Sequence, residues 1–524
     1  MTSEVKDTEN EVTDDTKATE GAKGIWVFYR SSATIHGVAQ VAGPPLYSFR
    51  KWIWLFLVLS MGTGLCVILF IQVQRLASFP TRTSVRAEFD DEVPFPAVTL
   101  CNLNQFTKSR LPLDPGLRYL IKLLSEASVI GQETYTSTTT TPQPQTDLNP
   151  TSKNADISSS RVPRWSNITG PELHQIVWDT AQDTSDFLYL CSWERQIVPC
   201  REMFEATLTD LGVCFTFNGR GVGGRYKKLM SSQFGAWTGM RVLMFINQTE
   251  YYYAKTMQTG VKVLLHEPEV TPMPSTSGML MRPGVSAHLA FRRTEHQGLA
   301  APYKAYRNVY CVDTESSEYK HTLGRYGVYT ETACYRDCLL EYVVARCNCT
   351  SPFEPEETRA VCSVDQMIEC YIPVFNSFSN QDLYKCDCRP PCKRVMYNIK
   401  SSYADFASQF MEEMSRKERN RSDEDFLRYK NRNVVDVRVF LDSMLVVRVQ
   451  QEPEMTFTDI LGTLGGHLGL FLGASILSIT ELTEMLLLLL LRCFRSRGKT
   501  AKNGKGEQNG AAVSSTITPR GNAT

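Results

Sequence analysis

The chain has 524 residues, 16 of them cysteine, and its 56 basic side chains balance 56 acidic ones to a formal net charge of zero. Zero net charge without a long basic run excludes a protein built to bind nucleic acid. Hydrophobic residues make up 42% and charged residues 21%, near the globular average, which excludes a wholly disordered chain.

Residues 1–51 begin with an acidic, polar stretch whose composition predicts a disordered tail. Residues 52–74 carry no charged side chain; Arg50 and Lys51 precede them and Arg75 closes them. As a helix this run would be ~35 Å long, enough to cross a hydrocarbon core of ~30 Å. It is too long, and preceded by too much polar chain, for a secretory signal. The reading is an uncleaved transmembrane helix.

Residues 75–457 hold 14 of the 16 cysteines; only Cys66 and Cys493 lie elsewhere. No Cys-x-x-Cys pair occurs, so zinc ribbons and thioredoxin-like redox are not indicated. An even count predicts disulfides and an extracellular location. The spacing Cys334-x3-Cys338 with Cys347-x-Cys349 is mirrored by Cys386-x-Cys388-x3-Cys392. Nested pairing would staple two neighbouring segments, although spacing alone leaves the connectivity open. Glycosylation sequons stand at Asn167, Asn247, Asn348 and Asn420, all in this region.

The secondary structure predicted for the region is mixed, an α+β pattern. Residues 136–160, rich in Thr, Ser, Pro and Asn, read as a surface loop. Residues 256–265 and 434–449 read as strands, and 331–345 as a helix with cysteines at helical spacing.

Residues 461–491 form a second apolar stretch within a predicted second span, 458–491. As one straight helix, 461–491 would measure ~46 Å, so it must tilt, break or project from the bilayer. Gly465, Gly469 and Gly473 recur at every fourth position and share a face that would let helices approach closely. Glu481 and Glu484 lie three apart within the same stretch. A charge in mid-membrane costs ~3 kcal/mol or more, so such residues face a water-filled cavity or snorkel from an end. Residues 492–524 carry Arg492, Arg495, Arg497, Lys499 and Lys502, the mark of a cytoplasmic flank. Two spans would leave both termini in the cytoplasm.

Enzyme chemistry finds no support. The glycine run 219–224 lacks the Lys-Ser/Thr of a phosphate loop. His266-Glu267 is followed by Pro268, so no zinc-protease helix forms, and no Gly-x-Ser-x-Gly elbow occurs. No catalytic, cofactor or metal site is indicated. His467 reads equally as a polar pore-mouth residue and as a proton sensor.

Six motifs then align in order: 31–37 (SSATIHG), 95–102 (FPAVTLCN), 211–218 (LGVCFTFN), 260–268 (GVKVLLHEP), the cysteine-rich 326–349, and 465–477 (GGHLGLFLGASIL). On these motifs the chain resembles the degenerin/epithelial sodium channel superfamily, nearest its acid-sensing and peptide-gated branches.

The resemblance implies a membrane protein with two transmembrane helices and a large disulfide-rich α+β ectodomain, assembled as a chalice-like homotrimer in the plasma membrane. It implies a pore for sodium ions blocked by amiloride-type compounds. Position by position, Gly473, Ala474 and Ser475 look like the selectivity constriction, and Glu481 and Glu484 match the acidic positions below it. His36 and Gly37 match a segment lining the lower pore. The family's disulfides would fall at Cys101–Cys214, Cys191–Cys200, Cys311–Cys392, Cys334–Cys388, Cys338–Cys386, Cys347–Cys370 and Cys349–Cys362.

The departures concern the stimulus. Thr463 stands where an acid-sensing channel usually has Asp. Asp459 occupies a position usually held by a small residue, one that shapes gating across the family. Residues 371–385 contain one carboxylate, Asp382, where proton-gated relatives place several. Protons, calcium or a peptide ligand are the stimuli left open. Competing readings are a constitutively active channel inhibited by protons or calcium, a non-channel two-span receptor, and an ATP-gated trimeric channel, whose cysteine spacing differs.

Overall fold

The structure, a computed structural model, describes residues 41, 48–130, 166–219, 228–252, 258–305, 309–320, 323–354, 359–406, 432–473 and 475–503. The chain divides into two compact units, Arg82–Glu452 and the combination of Met1–Thr81 with Pro453–Thr524. The sequence-predicted loop 136–160, glycines 221–224 and Asn420 lie outside the described residues.

In chain order the first elements are helix α1 (Ser48–Ala77), strands β1 (Thr81–Phe89), β2 (Val93–Pro94) and β3 (Ala97–Asn102), and helices α2 (Pro115–Ile130) and α3 (Gly170–Asp179). Strands β4 (Leu188–Trp193), β5 (Gln196–Val198), β6 (Phe204–Thr209), β7 (Gly212–Phe217), β8 (Met230–Ser231), β9 (Met240–Phe245), β10 (Val261–His266), β11 (Met279–Met281) and β12 (Val285–Gln297) follow. Helix α4 (Glu331–Cys347), strands β13 (Lys393–Asp405), β14 (Val434–Leu441) and β15 (Leu445–Pro453), and helices α5 (Phe457–Leu472) and α6 (Ile476–Asn503) come next, with shorter helical segments between the main elements.

Within Arg82–Glu452, β12 is the spine of an eight-stranded sheet ordered β1-β15-β12-β14-β9-β4-β5. Antiparallel β13 pairs with it from Val285↔Asp405 to Gln297↔Lys393. On its other edge β12 runs parallel to β14 over Val285–Phe291 and to β15 over Thr294–Gln297. Strands β14 and β15 therefore lie end to end. The β12–β14 ladder ends, and the single strand predicted over 434–449 is interrupted, at Asp442. Its N–H donates to the Phe291 carbonyl (2.8 Å), and its carboxylate accepts from Arg292 (3.0 Å) and Lys400 (2.9 Å).

A five-stranded sheet, β11-β10-β3-β7-β6, shares one apolar core with this first sheet. The core follows from alternation: Met240, Val242 and Met244 of β9 point inward, as do Val435, Val437 and Val439 of β14. Phe95 sits at its centre, fully buried, with Trp193 at 4.7 Å, Phe291 at 5.2 Å and Phe217 at 5.9 Å between ring centroids, all edge-on. Burying such a ring contributes about 2–3 kcal/mol, and each edge-to-face contact about 1 kcal/mol more. The 95–102 motif is thus largely core: Phe95, Ala97, Val98 and Leu100 are inaccessible, and Cys101 is bonded to Cys214.

A second core joins α2, α3, α4 and residues 362–371 through Leu117, Leu120, Leu173, Val177, Leu340 and Val343. Helix α4 starts where the Thr330 hydroxyl accepts the Ala333 N–H at 3.0 Å, and stops at Asn348, whose φ is 53°. The remaining bridges are Cys191–Cys200, Cys311–Cys392, Cys334–Cys388, Cys338–Cys386, Cys347–Cys370 and Cys349–Cys362. Three of them tie α4 to the segment 370–388, each closed loop contributing ~2–4 kcal/mol. Asn167 is exposed; Asn247, with φ 46°, is half-buried; Asn348 is exposed, but its sequon partner Thr350 is buried.

In the other unit, α1 contains the predicted span 52–74. Among the described residues, Phe49–Ala77 is the one helix long and apolar enough to cross a membrane. The second apolar stretch breaks: α5 ends at Leu472 and α6 begins at Ile476.

Candidate pore site

The site is built on α1, α5 and the start of α6. Helix α5 opens with a capping box. The Asp459 carboxylate accepts the Thr456 N–H at 2.9 Å, and the Thr456 hydroxyl accepts the Asp459 N–H at 3.3 Å. Reciprocal bonds of this kind satisfy two donors that a helix start leaves open. The carboxylate at 459 thus serves the helix start directly. Just before it, Glu454 pairs with Arg75 at the end of α1, and the Glu454 N–H donates to the Pro80 carbonyl at 2.9 Å. The ends of the two helices are held together there.

Lower down, the Phe471 ring of α5 rests over Gly64 of α1, and the His467 ring tilts against it at 6.4 Å. The glycine face of α5 points elsewhere. A Cβ added at Gly462, Gly465, Gly466 or Gly469 would meet nothing within 4 Å. Within one chain, then, α1–α5 packing uses the phenylalanine, not the glycine stripe.

Gly473 ends α5 in the left-handed conformation, φ 60° and ψ 23°, and its N–H donates back to the Gly469 carbonyl at 3.0 Å. Such a residue costs glycine nothing and any Cβ-bearing residue about 1 kcal/mol or more. Ser475 follows, exposed. Its carbonyl accepts the N–H groups of Ser478 (3.0 Å) and Ile479 (3.3 Å), so that oxygen belongs to α6. The exposed hydroxyl of Ser475 is what this residue offers to its surroundings. On α6, Glu481 is half-exposed and Glu484 exposed; Thr463 and His467 of α5 are half-exposed. The structure brings Gly473 and Ser475 together at the break. Ala474, His36 and Gly37 lie outside the described residues.

In the other unit, Arg448 of β15 gathers three carboxylates: Glu88, Asp90 at 2.8 Å, and Glu295 of β12 at 3.4 Å. The hydrogen bond it donates to Asp90 is the main reason its guanidinium is held above its ordinary value. Glu295 also binds Arg293 at 2.8 Å, and Arg293 reaches Glu267 at 3.8 Å. Burial, opposed by Arg293, pushes the Glu267 carboxyl up. His266 bonds the Thr99 hydroxyl through Nε2 and the Glu267 carbonyl through Nδ1, both at 2.8 Å. Burial pulls the imidazole down to about 4 despite that carbonyl. Asp382 is held down to about 2, first by its hydrogen bond from Lys385 and then by those from Ser379.

Sequence reasoning passes over Gly64, Phe471, Ser478 and Arg448. Of these, only Ser478 left a readable signal: Ser475-x-x-Ser478 has the spacing from a helix cap to its third residue.

One helix long and apolar enough to cross a membrane, a seven-disulfide mixed sheet region and a broken glycine-faced helix followed by carboxylates fit a membrane protein of the ion-channel class. The family model described as the amiloride-sensitive sodium channel matches residues 29–485, and the chain belongs to that family. It is similar to acid-sensing ion channel 1 of Gallus gallus, 26% identical over 488 residues, covering 91% of this chain and 86% of the relative. It is likewise similar to acid-sensing ion channel 2 of Mus musculus, 27% identical over 465 residues, covering 87% and 84% respectively. Acid-sensing ion channel 1A of Danio rerio is 25% identical over 468 residues, covering 87% and 86%. Members of this family are ion channels and not enzymes.

Proposed function

We propose that the chain forms a trimeric, sodium-selective, amiloride-sensitive cation channel of the plasma membrane, opened or modulated by an extracellular stimulus. In this reading α1 and the stretch 458–491 cross the lipid bilayer, 75–457 lies outside, and both termini, including 492–524, are cytoplasmic. Three copies would line one pore with the glycine faces of α5.

The observation that carries the reading is the break at Gly473 within a glycine-faced apolar helix, followed by Glu481 and Glu484. Small residues let three helices approach, and a ring of exposed Ser475 hydroxyls can replace part of an ion's water shell. Carboxylates beyond it raise the local cation concentration. The stimulus must bind the open state better than the closed one.

Asp382 favours a stimulus other than protons acting on 371–385. It is the one carboxylate there, and with a pKa near 2 it stays charged throughout the range a proton-gated channel reads. A peptide ligand, or constitutive activity modulated by protons or calcium, fits that stretch better.

The test is current recording from the full chain in oocytes during alkaline-to-acid pH steps and peptide application, with and without amiloride. A sodium current blocked by amiloride is expected, and a Ser475→Cys channel should be inhibited by a thiol reagent. Absence of any such current under every stimulus, with protein at the surface, sinks the proposal. Survival of all function in Glu481→Leu would favour a non-channel receptor.

A further inference from the structure

Ser478 is a polar side chain with 1% of its surface exposed. Its hydroxyl oxygen accepts the Ser475 N–H at 3.1 Å, and its own N–H donates to the Ser475 carbonyl at 3.0 Å. Both backbone polar groups of Ser475 are therefore engaged by one residue. Fixing both groups fixes the backbone at Ser475, and with it the direction of the Cα–Cβ bond that carries the exposed hydroxyl. Ser478 is itself buried, so its oxygen is placed to hold the break and not to meet an ion.

We propose that Ser478 is a positioning residue for ion selectivity: through the Ser475 backbone it aims the Ser475 hydroxyl. The proposal rests on reading 473–475 as the constriction. Without the Ser478 hydroxyl the Ser475 N–H loses its acceptor, and the Ser475 backbone is free to rotate toward another partner. The Ser475 hydroxyls would then sit in several orientations. Discrimination between sodium and potassium needs oxygens at a set spacing, so it falls while conduction continues.

The experiment compares Ser478→Thr with Ser478→Val in the full-length channel, two side chains of one shape that differ by the hydroxyl. The readout is the sodium-to-potassium permeability ratio from reversal potentials, with surface protein measured alongside. The threonine channel should keep the wild-type ratio. The valine channel should lose about fivefold of it, the scale of one lost hydrogen bond. Equal ratios in the two channels overturn the proposal. Loss of surface protein with valine alone also overturns it, because the hydroxyl then serves folding only. A Ser475→Cys channel indifferent to thiol reagents marks a different failure, that of the constriction reading itself.

Discussion

Gly64 and Phe471 form a notch and its occupant: a Cβ at Gly64 would fall 3.1 Å from Phe471 Cε1. Both belong to apolar helices, α1 and α5, and the missing side chain at 64 is what lets the ring lie against the neighbouring backbone. The glycine face of α5 meets nothing of this kind: a Cβ at Gly462, Gly465, Gly466 or Gly469 would find no atom of the chain within 4 Å.

A branched side chain at 64 must displace the ring. Gly64→Val should lower the melting temperature of the detergent-solubilised channel, a cost of about 1–3 kcal/mol for overpacking. Phe471→Ala in the same chain should recover most of that loss, because the clash has gone. Additive effects of the two substitutions would show that the contact does not set the packing.

Asp459 is expected to act as a cap. Asp459→Ala removes the acceptor for the Thr456 N–H and should cost about 1 kcal/mol at the start of α5. Fraying can be read as the rate at which a thiol reagent modifies a Phe457→Cys reporter. That rate should rise about fivefold with alanine and stay near wild type with Asp459→Asn, which keeps the acceptor. Equal rates in the two variants would assign the residue a purely electrostatic role.

Arg448 offsets the repulsion among Glu88, Asp90 and Glu295. Arg448→Met should destabilise the channel by ~1–2 kcal/mol, given how exposed the partners are. The loss should be largest at low ionic strength, where the stranded carboxylates repel most. Adding Glu295→Gln should return part of the stability. A loss independent of salt would place the role of Arg448 in packing.

His266 sets a pH dependence whose sign follows from its lowered pKa. Between about 6.5 and about 4 the unfolded chain binds a proton that the folded one refuses. Stability is therefore lost as pH falls through that window and levels off below it, by at most ~3 kcal/mol. Melting curves from pH 7 to 4 should fall less steeply for His266→Gln than for wild type. Parallel curves would mean that the imidazole does not titrate differently on folding.

Much of the fold was legible because its signals are local. The charge-free run at 52–74 predicts α1 from transfer energy alone. The helix at 331–345 matches α4 to within two residues, because Thr330 and Asn348 are terminal residues of ordinary type. The alternating valines of 434–449 mark strand, but not its division at Asp442, since the division falls where the parallel pairing passes from β14 to β15 along β12, a strand far away in sequence. The excess length of 461–491 demands a tilt, a break or a projection, and the family motif points to the position of the break.

By itself the sequence determined the apolar helix, the disulfide chemistry of the cysteines and the family, since hydropathy, spacing and motif order need no partner in space. Only the tertiary structure decided which groups each polar residue meets. It gave Asp459 to a helix start, the Ser475 carbonyl to α6, the Ser475 N–H to Ser478, and Phe471 to a glycine 407 positions earlier. A hydrogen bond or a van der Waals contact acts over a few ångströms, and sequence separation carries no record of which residues the fold brings that close.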